Sequence, residues 1–201
     1  MSHYFDSPQA PEKRRTIEAS IWGRDYSFTT ANGVFSGTRL DPGTAVLFRE
    51  TTPPDEARHL LDLGCGFGPI AVALATECPG ARVDAVDVNT RALALTQLNA
   101  EAAGVGERVV AATPEQVLAG PASYDQIWSN PPIRIGKQAL HELLLTWLPR
   151  LAPNGRAWLV VSKNLGGDSL QQWLIDQGWP TERTASAKGF RVLQVTCGPQ
   201  T

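Results

Sequence analysis

From residue 58 onward, short apolar runs alternate with longer segments of helical apolar spacing. Residues 58–63, 82–88, 108–112, 124–129 and 156–162 read as strands, and residues 70–78, 91–103, 138–151 and 169–177 read as helices. This βαβα order predicts a mostly parallel sheet covered by helices on both faces. Helix punctuation agrees: Thr90 is placed to cap the second helix, Gly104 to close it, and Asp168 to cap the last.

Both ends of the chain break this rhythm. Residues 180–185 and 190–196 flank Ala187-Lys188-Gly189 with no helix between them, the pattern of an antiparallel hairpin. Residues 16–22 and 25–29, separated by Gly23-Arg24, predict a second hairpin near the N-terminus, followed by Asn32-Gly33-Val34-Phe35-Ser36 and a helix beginning near Pro42. The expected fold is α/β and Rossmann-like: a seven-stranded, mostly parallel sheet with a C-terminal antiparallel hairpin and a short N-terminal β-hairpin extension. Pro53-Pro54 marks the boundary between an extension over residues 1–54 and a main unit over residues 55–201 that pack as one body.

Composition adds bounds. A chain of 201 residues, 42% hydrophobic and 19% charged, can bury a core without disulfide or metal support. Cys65, Cys78 and Cys197 lack metal or disulfide spacing, and His3, His59 and His141 suggest no metal site, so no metal is expected. The start of the chain lacks the pattern of a secretory signal, and no apolar run is long enough to span a bilayer. The expectation is a cytoplasmic monomer without membrane contact. A formal net charge of −2 gives no global pull toward nucleic acid, so any basic footprint must be local.

The most informative stretch is Asp62-Leu63-Gly64-Cys65-Gly66-Phe67-Gly68-Pro69, where an apolar strand enters a glycine-rich turn and then a helix. Glycines let the chain reverse tightly and a ligand touch backbone. A dinucleotide fingerprint would place its third glycine where Pro69 stands, which argues against NAD or FAD. Asp62 would oppose a pyrophosphate but suits the ammonium and sulfonium charges of S-adenosylmethionine; the other reading is a carboxylate bonding turn amides. Asp87 ends the next strand about 20 residues on, as a carboxylate gripping ribose hydroxyls would. A helix-capping acid is the alternative there. Gly64, Cys65, Gly66, Gly68, Val88 and Thr113 complete the expected cofactor contacts, with Asn130 at their edge.

At the end of the fourth strand stands Asn130-Pro131-Pro132-Ile133-Arg134-Ile135-Gly136-Lys137. The prolines hold the backbone extended, so that Asn130 Oδ1 and the Pro131 carbonyl are fixed acceptors for an NH₂ group. An exocyclic amine is a poor nucleophile because its lone pair is delocalised. Two acceptors would align it and stabilise the positive charge that develops as it attacks a methyl group. Asn130, Pro131, Pro132 and Ile133 are therefore the catalytic candidates.

Together, the Asp62 to Gly68 turn, Asp87 and the Asn130-Pro131-Pro132-Ile133 loop resemble class I S-adenosylmethionine-dependent methyltransferases acting on exocyclic or amide nitrogen. With Gly33-Val34-Phe35-Ser36, Leu40-Asp41-x-Gly43, Lys163-Asn164-Leu165-Gly166 and Lys188-Gly189-Phe190-Arg191, the chain is similar over nearly its whole length to the small-subunit rRNA guanine-N2 methyltransferase family. The resemblance implies methylation of guanine N2, with ribosomal RNA or the small ribosomal subunit as partner. It also puts Phe35 and Ser36 over the cofactor or target pocket; a turn packing the hairpin on the sheet is the other reading. Ile133 stands where adenine-N6 and protein-glutamine methyltransferases carry an aromatic residue, which favours guanine. Where many relatives have a polar or acidic adenine contact, this chain has Ala112-Thr113-Pro114. Some relatives carry a second, degenerate domain that this sequence does not contain, which leaves substrate capture to other surfaces.

Arg134, Lys137, Lys188 and Arg191 would form a basic rim for RNA phosphates if their loops share one crevice; singly, each reads equally as a solvated charge. Trp128, Trp147 and Trp158 belong to apolar patterns and are assigned to the core. Two other functions stay open: N-methylation of another nucleic acid or of protein glutamine, and a catalytically idle RNA-binding module that retains the fold.

Overall fold

The computed structural model describes residues 11–131 and 136–197. The chain opens with an antiparallel hairpin, β1 (Arg14–Ile21) and β2 (Arg24–Ala31). Trp22 and Gly23 turn it with φ of 49° and 80°, the paired left-handed conformation that matches strand twist in a two-residue hairpin loop. Helix α1 (Pro42–Glu50) follows, and then the alternation read from the sequence: β3 (His59–Leu63), α2 (Pro69–Glu77), β4 (Arg82–Val86), α3 (Thr90–Ala102), β5 (Val109–Ala112), α4 (Pro114–Leu118), β6 (Tyr124–Ser129), α5 (Lys137–Trp147), β7 (Leu151–Ser162), α6 (Gly167–Asp176), β8 (Thr181–Ala187) and β9 (Phe190–Thr196).

The seven strands of the main sheet lie in the order β5-β4-β3-β6-β7-β9-β8. Strands β3 to β7 are parallel, while β9 enters antiparallel between β7 and β8. The chain winds from β3 outward to β5 and then returns to the other side of β3 as β6. That reversal opens a crevice at the C-terminal ends of β3 and β6, where ligands bind in open α/β sheets. The glycine turn after β3 and Asn130 after β6 flank it.

Side chains alternating along the strands feed two cores. Leu60, Val83, Ala85 and Trp128 pack with α2, α3 and the N-terminal hairpin on one face; Leu61, Leu63, Val86 and Ile127 pack with α5 and α6 on the other. The hairpin side chains Ile17, Ile21, Tyr26 and Phe28 are buried in the first core. Trp22 packs edge-on against Phe48 and Trp128 and donates to the Thr51 carbonyl at 2.9 Å. Trp128 and Trp147 are buried and Trp158 half-buried, so all three are packing residues.

Local details differ from expectation. Asn89, not Thr90, caps α3, accepting from the Arg91 and Ala92 N–H groups at 3.0 and 3.4 Å, because its side chain sits one residue before the first helical turn. Gly104 closes that helix at φ 72°. Asp168 lies inside the first turn of α6, where it pairs with Arg183 and Arg191; Gly166, at φ 101°, precedes the helix. Helix α4 was not foreseen, although Thr113 and Gln116 form a reciprocal capping box around it.

One buried carboxylate ties the strands together toward their N-terminal ends, away from the crevice. Asp84 Oδ2 accepts from the Tyr124 hydroxyl at 2.9 Å and lies 3.0 Å from His59 Nε2, while Oδ1 lies 3.2 Å from Arg82 Nε. Burial alone would raise its pKa, but the His59 and Tyr124 hydrogen bonds and the His59 and Arg82 charges outweigh it, and the net shift is downward. A carboxyl depressed on folding adds stability above its unfolded pKa of about 3.9 and loses it as the pH falls through the folded value. Asp84→Ala is expected to cost about 2–4 kcal/mol at neutral pH, because it strands the buried Tyr124 hydroxyl and its neighbours. Urea unfolding at a series of pH values should show the difference shrinking below about pH 4; a difference constant with pH would refute the assignment.

Candidate functional site

The glycine turn takes its shape from its neighbours. Gly64, Gly66 and Gly68 have φ of 80°, 57° and 87°, a region costly for residues with a Cβ. Gly64 and Cys65 donate their N–H groups to the Val86 carbonyl at 2.8 and 3.0 Å, so the turn is fastened to the end of β4. At Gly68 a Cβ would also lie 2.8 Å from Thr96 Cγ2, so this glycine lets α3 approach the turn. Pro69 then begins α2, where its missing N–H costs nothing.

Two side chains on α3 complete the support. Thr96 Oγ1 donates to the Gly66 carbonyl at 3.1 Å, and Asn99 Nδ2 to the Phe67 carbonyl at 2.7 Å. Asn99 also exchanges hydrogen bonds with the Thr29 backbone, joining the N-terminal hairpin to the turn. Neither residue was singled out from the sequence. Their signal is a polar side chain at i and i+3 on the buried stripe of an otherwise apolar helix face.

Asp87 stands at the end of β4. Its Oδ2 accepts from Gly66 N–H at 3.0 Å and its Oδ1 from Asn89 N–H at 2.9 Å, leaving further lone pairs on both oxygens. Burial raises its pKa against these bonds. Beside it, Val88 is 50% exposed, an apolar surface at the rim of the crevice. Thr113 sits at the end of β5 with its hydroxyl engaged in capping α4. Cys65 is buried with its thiol pKa pushed far up by burial, so it is an inert lining group.

Asp62 is fully buried at the end of β3. One oxygen accepts from Ala71 N–H at 2.9 Å; the other has no hydrogen-bond partner among the described residues. Burial, with a smaller contribution from the Asp87 charge, pushes its pKa up to about 8 against the Ala71 bond.

Asn130 and the glycine turn line one cleft of about 340 Å³ counted out to solvent, together with Phe35, Ser36, Asp41 and Thr44. Phe35 is 48% exposed. Its loop is held by Asn89 Nδ2 donating to the Gly33 carbonyl at 2.8 Å and by Arg91 Nη1 donating to the Asn32 carbonyl at 2.9 Å. The Asn130 amide nitrogen donates to Asp41 Oδ1 at 2.7 Å and to Thr44 Oγ1 at 3.0 Å. Pro131 is buried beside it. Pro132, Ile133 and Arg134 lie outside the described residues. Lys137 is exposed in the first turn of α5, and Lys188, at φ 49°, is exposed in the β8–β9 turn, both at the C-terminal end of the parallel strands. Arg191 is half-buried and engaged by Asp168 at 3.0 Å.

The residues fit S-adenosylmethionine. A Cβ at Gly66 would stand in open space, so the turn is bare where it lines the cleft. An unpartnered carboxylate oxygen, a strand-end carboxylate and an exposed apolar side chain match a ligand carrying cationic, ribose and aromatic parts. Among the described residues no cluster of His, Cys, Asp and Glu could hold a metal, and no helix is long and apolar enough to cross a membrane.

The sequence profile of the methyltransferase small domain family matches residues 25–194. The chain belongs to that family. Its fold and family are those of S-adenosylmethionine-dependent methyltransferases. It is 28% identical over 193 residues to the Bacillus subtilis protein YbxB, covering 96% of each chain. It is 33% identical over 170 residues to ribosomal RNA small subunit methyltransferase C of Pseudomonas entomophila, covering 83% of this chain and 49% of that one. Among solved structures, the Thermus thermophilus 16S rRNA N2 G1207 methyltransferase RsmC, in complex with AdoMet and guanosine, superposes with a TM-score of 0.79 and 25% identity over 94% of this chain and 52% of that one. The chain thus spans about half the length of these rRNA methyltransferase relatives.

The Asp62 carboxyl gives a test that needs no ligand. A carboxyl raised on folding contributes stability that is full below its unfolded pKa of about 3.9 and is lost as the pH rises through the folded value. Between about pH 4 and pH 8 the protein alone should therefore lose stability, while Asp62→Asn should not, and above pH 8 the variant should be the more stable. Urea unfolding curves from pH 5 to pH 9 check this; parallel curves for the two proteins would show that Asp62 ionises normally.

Proposed function

We propose that this chain transfers the methyl group of S-adenosylmethionine to the exocyclic N2 of a guanine in small-subunit ribosomal RNA. The observation that carries the reading is the Asn130 amide: both hydrogens of its nitrogen are taken by Asp41 and Thr44, so its oxygen is the group left to meet an amine in the cleft. The relative solved with AdoMet and guanosine supports the choice of base.

S-adenosylmethionine supplies an electrophilic methyl group on a cationic sulfur. The bare face of Gly64 and Gly66 would receive it, with Asp87 on the ribose hydroxyls, Val88 against the adenine, and Asp62 lending negative charge behind the turn. Gly68 and Cys65 shape the turn, and Thr113 borders the adenine side. Asn130 Oδ1 and the Pro131 carbonyl would accept from the guanine NH₂, aligning its nitrogen and offsetting the positive charge that grows there as the N–C bond forms and the methyl–sulfur bond breaks to leave neutral S-adenosylhomocysteine. The nitrogen afterwards gives a proton to water. Pro132 and Ile133, the other catalytic candidates, lie outside the described residues, and Phe35 and Ser36 would cover the base from the N-terminal side. Lys137 and Lys188 would offer phosphate contacts, as would Arg134, which lies outside the described residues; Arg191 would add to them only beside its Asp168 partner. Residues 11–54, the described part of the N-terminal extension, would then work as one unit with the methyltransferase fold.

Asn130→Ala is expected to leave S-adenosylmethionine affinity within about twofold while slowing single-turnover transfer by about a hundredfold or more, as loss of a transition-state acceptor does. Calorimetry and single-turnover assays separate the two effects. The substrate is tested with labelled cofactor and either naked RNA or small subunits from a strain lacking the modification, followed by nucleoside analysis. N2-methylguanosine is the expected product; label found only in protein would overturn the reading.

A further inference from the structure

We propose that Asp41, with Thr44 as its companion, is a positioning residue for methyl transfer, locking the Asn130 amide so that its oxygen faces the incoming amine. The inference rests on the reading of Asn130 as the acceptor for guanine N2. Asp41 and Thr44 do not themselves meet the reacting amine; they act through Asn130.

A side-chain amide presents an oxygen and a nitrogen of nearly equal size, and rotation by half a turn exchanges an acceptor for a donor. An amide presenting its NH₂ to the guanine NH₂ would be useless, so the site needs something that tells the two ends apart. Asp41 and Thr44 do so. One is a carboxylate, which only accepts, at 2.7 Å from Asn130 Nδ2; the other is a hydroxyl oxygen at 3.0 Å. In the flipped state, the Asn130 oxygen would face the Asp41 oxygen, acceptor against acceptor beside a negative charge.

Asp41 is itself fixed. As the residue preceding α1, its Oδ1 also accepts from the N–H groups of Gly43 and Thr44 at 2.7 and 3.2 Å. Gly43 is required for that arrangement, because a Cβ there would lie 2.9 Å from Asp41 Oδ1 and 2.9 Å from Phe190 Cε1. The helix start, the glycine and the hydroxyl thus form one device on a single turn of backbone. It holds a residue 89 positions away, just past the end of β6.

The test compares Asp41→Ser, which keeps a helix-capping oxygen but draws it back from Asn130, with Asp41→Asn, whose side-chain oxygen can still accept from all three donors. Thr44→Val, isosteric at a buried position, removes only the second acceptor. Asp41→Ser should lower single-turnover methylation of the RNA or small-subunit substrate by about ten- to a hundredfold with cofactor affinity within about twofold, and Thr44→Val by a smaller factor. Asp41→Asn should recover most of the rate. In NMR spectra, the Asn130 side-chain amide protons should be protected from exchange in the wild type and exposed in Asp41→Ser. A wild-type rate in Asp41→Ser, unchanged amide protection, or no recovery in Asp41→Asn overturns the inference while leaving the guanine reading intact. Failure of the wild type to methylate either substrate overturns that reading and this inference with it.

Discussion

The structure depends on the way a backbone forced through three left-handed glycines is pinned from outside itself. Nothing within residues 64–68 holds this shape strongly; the one backbone bond internal to the turn runs from Gly68 N–H to the Cys65 carbonyl. The remaining bonds come from the Val86 carbonyl, from the Asp87 carboxylate and from Thr96 and Asn99 on α3. A turn built this way keeps one side free of side chains while its other side is fully bonded, which is the condition for a ligand to approach backbone. Substituting Gly68 would therefore damage more than a φ angle, since α3, which supplies two of the pins, would be displaced by the Cβ.

The same sheet treats two buried carboxylates in opposite ways. Asp84 has hydrogen-bonding and charged partners on both oxygens, and its ionised form is favoured. Asp62 lies on the neighbouring strand with one partner and one empty oxygen, and its ionised form is disfavoured. The first arrangement belongs to a group whose work is done when the protein folds. The second leaves an interaction unmade in the folded protein, and groups perturbed in this way cluster at functional sites.

Much of this was legible in the sequence because it obeys local rules. Alternating strands and helices, the glycine spacing, and Asp87 and Asn130 at strand ends all follow from patterns a few residues long. The strands of the main sheet were found, as were both hairpins, since turn residues such as Lys188-Gly189 announce themselves. What escaped reading was of two kinds. Thr113-Pro114 reads as a strand exit, and the short α4 depends on a capping box of one turn that a longer periodicity search passes over. Asn99, Thr96, Asp41 and Thr44 act across 30 to 89 positions, at distances that sequence spacing does not encode. Asp168 was misread for a related reason: an acid near a helix start resembles a cap until Arg183 and Arg191 arrive from another hairpin.

The N-terminal segment is where these long-range contacts converge. Its β2 strand is bonded to Asn99 and so to the glycine turn; its next loop is bonded to Asn89 and Arg91, just past Asp87; and Asp41 and Thr44 reach Asn130. One continuous stretch thus touches, in chain order, the turn after β3, the end of β4 and the end of β6. These are the three corners of the crevice, which the sheet alone brings near one another but does not fix to the accuracy that aligning two reacting groups demands. Phe35 lies on the span between the second and third of these attachments, so its place over the cleft is set by hydrogen bonds on both sides of it. A segment that began as an addition to the fold by its sequence is, by its contacts, the part that makes three separate strand ends into one site.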